Sequence, residues 1–149
     1  MIRYYGNSHN QPTNTHTLHR QMRNNSTTIL YVEDNRDNFK LVQRVLHAEG
    51  FAVYGAANGR EALIFLEQHT PDLILMDINL PYVDGYTLAG QLRQHENLVT
   101  IPIVALTANV TKQDLEKSLA AGCNGFIRKP IDVDLLPDQL RSYLNNKPK

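Results

Sequence analysis

Five short, wholly apolar runs separated by longer amphipathic segments restrict what this chain can fold into more than any other feature. The runs cover residues 29–32, 52–54, 73–76, 101–106 and 125–127. A strand apolar at every position has no polar face to show water, so it belongs in a sheet buried on both sides. The segments between the runs carry the helical period. Phe39, Val42, Val45 and Leu46 recur at three and four and stop at Gly50; Ala62, Leu63 and Leu66 follow Asn58-Gly59. Leu88 and Leu92 mark a third helix, Leu115 and Leu119 a fourth ended by Gly122, and Val133, Leu136, Leu140 and Leu144 the last. Pro137 falls in the early turns of that last helix and is expected to kink it or shift its start. Strand and helix alternate five times, which implies an α/β fold: a doubly wound parallel sheet of five strands with five helices on its two faces.

Size and composition exclude several classes. A chain of 149 residues, 42% hydrophobic and 20% charged, is one ordinary globular domain, not a disordered chain or a collagen. No apolar run nears the ~20 residues that span a bilayer. The one cysteine, Cys123, cannot form an internal disulfide, which fits a cytoplasmic location. Residues 1–26 are rich in Asn, Gln, Thr and His without periodicity and read as a disordered polar leader; the domain proper is 27–145, with a short tail at 146–149. His9, His16 and His19 in the leader show no recurring ligand spacing, and Met22 lies just before the folded part. The leader holds Arg3, Arg20 and Arg23 and no acid, leaving 12 basic against 15 acidic residues in the remainder. A mildly acidic domain has no electrostatic footprint for nucleic acid.

Sites on parallel α/β sheets lie beyond the carboxyl ends of the strands. Glu33 and Asp34 follow the first run, Asp77 the third, Thr107 the fourth, and Arg128, Lys129 and Pro130 the fifth. Singly, each reads as a cap, a turn or a solvated charge. Together, three carboxylates on one rim would repel and raise one another's pKa unless a cation sat among them. A small set of hard oxygen ligands suits Mg²⁺ or Ca²⁺, and favours Mg²⁺ where room remains for water and phosphate. A lysine beside them complements a phosphate. Other chemistries fail on inspection: there is no glycine-rich phosphate loop, no zinc-ligand spacing and no Gly-x-Ser-x-Gly elbow. Cys123 reads as a packing residue.

The stretches Ile29-Leu30-Tyr31-Val32-Glu33-Asp34-Asn35, residues 73–81, Ala105-Leu106-Thr107-Ala108 and Lys129-Pro130 together resemble the receiver domain of bacterial two-component response regulators, the CheY-like family, across residues 27–145. Glu33-Asp34-Asn35 with Asn38, and Gly122-Cys123-Asn124-Gly125, are similar to DivK-type single-domain regulators and to hybrid-kinase receivers. The resemblance implies a flavodoxin-like strand order 2-1-3-4-5. It implies Asp77 as phosphoacceptor and Mg²⁺ held by Asp34 and Asp77, with the Asn79 carbonyl and with Glu33 acting through a water. Thr107 would bond a phosphoryl oxygen and Lys129 would pair with the phosphate. A sensor histidine kinase or phosphotransfer protein would be the donor. The chain would catalyse only its own phosphorylation and dephosphorylation, as a switch and not a turnover enzyme.

In that switch Thr107 would move inward and Phe126, where many receivers carry tyrosine, would turn in; a plain core aromatic is the other reading of Phe126. Ala108 would leave the acyl phosphate accessible, and Asn79 and Asn109 would tune its hydrolysis. The effector surface would be the fourth helix (residues 111–121, Thr111 to Ala121), the fifth strand and the last helix, with no nucleic-acid or membrane partner. Tyr82 and Tyr86 flank the loop after Asp77 and are candidate donor contacts. Competing readings are a phosphorylation-independent scaffold, a receiver cut from a hybrid kinase, and an aspartyl-phosphate phosphohydrolase. Against the last, the residue two past Asp77 is Asn79, which cannot serve as a general acid.

Overall fold

A computed structural model describes residues 26–146. The polar leader, save its last residue, and the end of the tail lie outside the described residues. The five strands are β1 (Thr28–Val32), β2 (Ala52–Ala56), β3 (Leu73–Asp77), β4 (Ile103–Thr107) and β5 (Gly125–Arg128). They pair in parallel in the order β2-β1-β3-β4-β5. The helices are α1 (Arg36–Ala48), α2 (Gly59–Leu66), α3 (Gly85–Leu92), α4 (Lys112–Ala121) and α5 (Leu136–Asn145), with a 3₁₀ turn at Glu96–Leu98. This is the doubly wound arrangement that the alternation implies.

Alternation along each strand splits the core into two layers. Leu30, Val32, Ile74, Met76, Ile103 and Ala105 pack with Phe65, Leu88 and Leu92 on one face. Ile29, Tyr31, Leu73, Leu75, Val104 and Leu106 pack with Phe39, Leu46, Leu136 and Leu140 on the other. Side chains set the helix starts. Asn35, Asn58, Asp84 and Thr111 each accept a backbone N–H three residues on, satisfying donors that a helix cannot pair itself. Gly122, at φ 109°, ends α4.

Two boundaries differ from the sequence pattern, each for a local reason, and one helix buries a residue that the pattern does not mark. β4 begins at Ile103 and not at residue 101, because Pro102 has no N–H for the ladder. α5 begins at Leu136, with Pro137 in its first turn, where the missing N–H costs nothing; the proline shifts the start and leaves the helix unkinked. In α4 the residue against the sheet is Ser118, while Leu119 is 61% exposed. The Leu115–Leu119 spacing is helical, but its apolar face is not the buried one.

Candidate functional site

The rim residues are held by the same ladder that builds the sheet. The Glu33 N–H donates to Ala56, that of Ile78 to Leu106, and that of Lys129 to Thr107, each one step past a strand end. The main chain therefore stays in register where the polar residues begin. Parity assigns their faces. Glu33 continues the Tyr31 side of β1, Asp77 the Leu75 side of β3, and Lys129 the Ile127 side of β5, all on the α1/α5 face. Thr107 falls on the opposite face with Ala105.

Asp77 is 4% exposed at the end of β3. Its Oδ1 accepts the Asn79 N–H at 2.9 Å, and its Oδ2 accepts from Lys129 Nζ at 2.6 Å. The first turn of α3 lies directly on this strand end. A Cβ on Gly85 would stand 2.8 Å from Ile78 Cα and 2.9 Å from the Asp77 carbonyl oxygen, so only glycine fits there. A cis peptide bond joins Lys129 to Pro130.

Carboxylate oxygens of Glu33, Asp34 and Asp77 lie within 4.8 Å of one another. Asp34 is exposed; Glu33 is buried. Burial first, and the charge of Asp77 second, push the Glu33 carboxyl above its ordinary value of 4.5, against weaker lowering by the Asn35 N–H and the Tyr31 hydroxyl. Two hydrogen-bonded acids and a third within reach suit a hard cation: all donors are oxygen, Lys129 covers one oxygen of Asp77, and the Glu33 charge lacks full compensation.

A raised acid pKa has a sign in stability. Between the unfolded value and the raised folded one, the folded chain holds the extra proton, so metal-free stability falls as pH climbs through that window. Thermal unfolding in chelator should therefore show the midpoint rising as pH drops from 7 toward the ordinary carboxylate range. Glu33→Gln should flatten that rise. A midpoint with the same pH slope in the variant would remove Glu33 as its cause.

Thr107 is buried, but its Oγ is engaged within its own loop. It donates to the Asn109 carbonyl and accepts the Asn109 N–H, both at 3.0 Å. The structure thus brings Glu33, Asp34, Asp77, Asn79 and Lys129 together and leaves Thr107 beside them, turned toward Asn109. Ala108 and Asn109 are exposed. Phe126 pairs with Ala105 across β4 and β5 and packs against the same core layer as Ala105. Thr107 and Phe126 accordingly share the α4 face of the sheet. Tyr82, 95% exposed at φ 70°, stands on the loop after Asp77, and Tyr86 packs under Lys117, whose Nζ is 4.8 Å from its ring centre.

Two features are not read from the sequence pattern. Tyr31 counts there as one more apolar strand residue, but it donates its hydroxyl to Glu33 Oε1 at 3.0 Å. Its position two before an acid on one strand is the available signal. Arg93 ties the end of α3 to the segments that precede β4 and β5, at the edge of the sheet opposite the site. Its guanidinium donates to the carbonyls of Leu98, Ile101 and Gly122 and to Asn124 Oδ1. Cys123 next to it is buried, with its thiol pushed up to about 11 by burial, as suits a packing residue. A groove of about 510 Å³ runs beside the acids, with Tyr31, Glu33 and Lys129 on its polar side and Leu41, Val42 and Ile131 on its apolar side.

The family model described as the response regulator receiver domain matches residues 29–141. The chain belongs to that family. As a receiver domain it is 40% identical over 119 residues to the polar-differentiation response regulator DivK of Brucella anthropi, covering 80% of this chain and 97% of that protein. The receiver domain of a sensor histidine kinase from Pseudomonas aeruginosa, solved with a magnesium ion coordinated in its active-site cleft, is 36% identical with a TM-score of 0.74, over 81% of this chain and 99% of that one. The chemotaxis response regulator CheY4 of Vibrio cholerae is 27% identical with a TM-score of 0.77, over 80% of this receiver and 99% of that chain. Among the described residues, no helix is long and apolar enough to cross a membrane.

Proposed function

We propose that this receiver accepts a phosphoryl group on Asp77 from a phosphohistidine of a sensor histidine kinase or phosphotransfer protein, and signals through phosphorylation-dependent protein contact. The observation that carries the reading is the 2.6 Å bond from Lys129 to Asp77, at the centre of the acid cluster with Glu33 and Asp34. A buried, positioned carboxylate is a competent nucleophile toward phosphorus. As an Asp77 oxygen forms its bond to phosphorus, the phosphorus–nitrogen bond of the donor breaks and its electron pair stays on the imidazole. Lys129 then transfers its hydrogen bond from Asp77 to a phosphoryl oxygen.

Asp34 and Asp77 would hold Mg²⁺, with the Asn79 carbonyl, and Glu33 would hold one of its waters; a cation there supplies charge neutralisation for the phosphoryl oxygens. Ala108, small and exposed, leaves the acyl phosphate open to water, and Asn79 and Asn109 stand where they can steer that water. Phosphorylation would draw the Thr107 hydroxyl out of its Asn109 loop. With Thr107 and Phe126 on one face, that loop and the Phe126 ring are positioned to move together against α4. The effector surface is then α4, β5 and α5, and it would meet its partner in the cytoplasm. The chain is a switch with self-directed chemistry, not an enzyme turning over a metabolite. The complete set of Glu33, Asp34, Asp77, Thr107 and Lys129 speaks against a scaffold indifferent to phosphorylation.

The test is intact mass after incubation with Mg²⁺ and acetyl phosphate. Gain of one phosphoryl group, lost in chelator, is the expected result; an unmodified chain that also fails to bind Mg²⁺ would sink the reading. Mg²⁺ binding has its own readout. Above half-saturation, each tenfold rise in Mg²⁺ should add about 1.4 kcal/mol of stability, about 5 °C in thermal midpoint for a domain of this size. A midpoint indifferent to millimolar Mg²⁺ would count against the cation site.

A further inference from the structure

We propose that Tyr31 is a positioning residue for this site: its buried hydroxyl fixes the Glu33 carboxylate in the orientation that holds a water of the cation. The inference rests on the Mg²⁺ reading above. Tyr31 lies in β1 and Glu33 one residue past its end, where the Glu33 N–H still continues the ladder, so the two side chains, two residues apart, leave the same face. Tyr31 is 0% exposed, and a buried phenol needs an acceptor. It donates to Glu33 Oε1 at 3.0 Å. The other two contacts to this carboxylate are longer: Asn38 Nδ2 to Oε1 and the Asn35 N–H to Oε2, both at 3.4 Å. Tyr31 thus supplies the shortest hydrogen bond to Glu33 among the described residues.

The ring holding that hydroxyl cannot swing away. It stacks on Phe39 of α1 with centroids 5.6 Å apart and planes at 19°. Apart from Tyr31, Glu33 is held only by the two longer contacts from Asn35 and Asn38 among those given above. Its side chain turns about three bonds, and the groove beside it offers room to point elsewhere. Tyr31 and Asn38 both sit on Oε1, Oε2 takes the longer contact from the Asn35 N–H, and the carboxylate so held has an oxygen within 4.8 Å of oxygens of Asp34 and Asp77. A phenylalanine would fill the same buried space and keep the stack on Phe39, so packing alone does not account for a hydroxyl here. Partners that orient a metal-holding carboxylate commonly matter about tenfold or more in metal affinity.

Tyr31→Phe keeps the ring and its stack and removes only the oxygen. Calorimetric titration with MgCl₂ at fixed pH and ionic strength should show binding about tenfold weaker than wild type. Glu33→Gln should weaken binding by itself, and adding Tyr31→Phe to it should change affinity no further, because there is then no carboxylate to orient. A purely structural Tyr31 would lower the metal-free thermal midpoint equally in both backgrounds and leave affinity alone. The wild-type chain gives an independent signature that needs no folded variant of Tyr31. Mg²⁺ should perturb the tyrosine ultraviolet spectrum by loading the acceptor of the Tyr31 hydroxyl, and Glu33→Gln should largely abolish that change. Tyr31→Phe affinity within twofold of wild type, or a loss of equal size in the Glu33→Gln background, overturns the proposal. A wild-type chain that binds no Mg²⁺ overturns instead the cation reading beneath it.

Discussion

An Asp77→Asn chain given Mg²⁺ and acetyl phosphate should keep its unmodified mass while wild type gains one phosphoryl group. The amide is nearly the same size and can still accept the Asn79 N–H that Asp77 Oδ1 accepts at 2.9 Å. What it lacks is an anionic oxygen to attack phosphorus, and losing the nucleophile should cost far more than a hundredfold in rate. The same substitution makes a second, separable change. Asp77 is the charge that, after burial, holds the Glu33 carboxyl up. Removing it should flatten the acid-side gain in metal-free stability. Against that, Lys129 loses the acceptor it meets at 2.6 Å. The mass and the pH slope thus report two functions of one side chain. A phosphoryl group still found on the Asp77→Asn chain would place the acceptor elsewhere.

The sheet is readable because its determinants are local and periodic. Runs such as Leu73 to Met76 have no polar position, and every residue of β3 is buried. The acid cluster is readable for a related reason: strand ends place whatever follows them on one rim, so Glu33, Asp34, Asp77 and Lys129 can be brought together from order alone. Orientation within the rim is not readable in the same way. Thr107 ends β4 just as Asp77 ends β3, but β4 sits one residue out of phase in its facing, and Thr107 Oγ closes a turn with Asn109. Tyr31 and Arg93 escape a sequence reading because their partners are fixed by packing. A phenol in an apolar run and an arginine at a helix end carry no motif, although both turn out to hold polar atoms of neighbouring segments. Leu119 shows a different limit: its spacing marks the helix, but the period alone does not say which face is buried.

Lys129→Met should separate the two ligands proposed for the site, metal and phosphate. Nζ of Lys129 is the cation nearest Asp77, and the pair is largely buried, with side-chain exposures of 25% and 5%. Removing one partner of such a pair leaves the other charge uncompensated beside Glu33. Discounted for the partly exposed lysine, the cost without metal should be about 2 kcal/mol. Mg²⁺ should then recover most of that loss, because the freed Asp77 oxygen is a better place for a cation when no ammonium competes for it. Denaturant unfolding of both chains, with chelator and with saturating Mg²⁺, reads this directly: the gap between them should narrow on adding metal. Phosphate cannot be rescued the same way. An acyl phosphate on Asp77 would carry charge that Lys129, one residue past β5 and already bonded to Asp77, is placed to meet. Without it, phosphorylation should lose its grip on the loop at residues 107–112 even where Asp77 is modified. Hydrogen exchange of that segment should change on phosphorylation in wild type and stay flat in the variant. A stability deficit that Mg²⁺ leaves untouched would mean that Lys129 supports the fold without competing for the acids, and a full exchange response would remove its part in the switch.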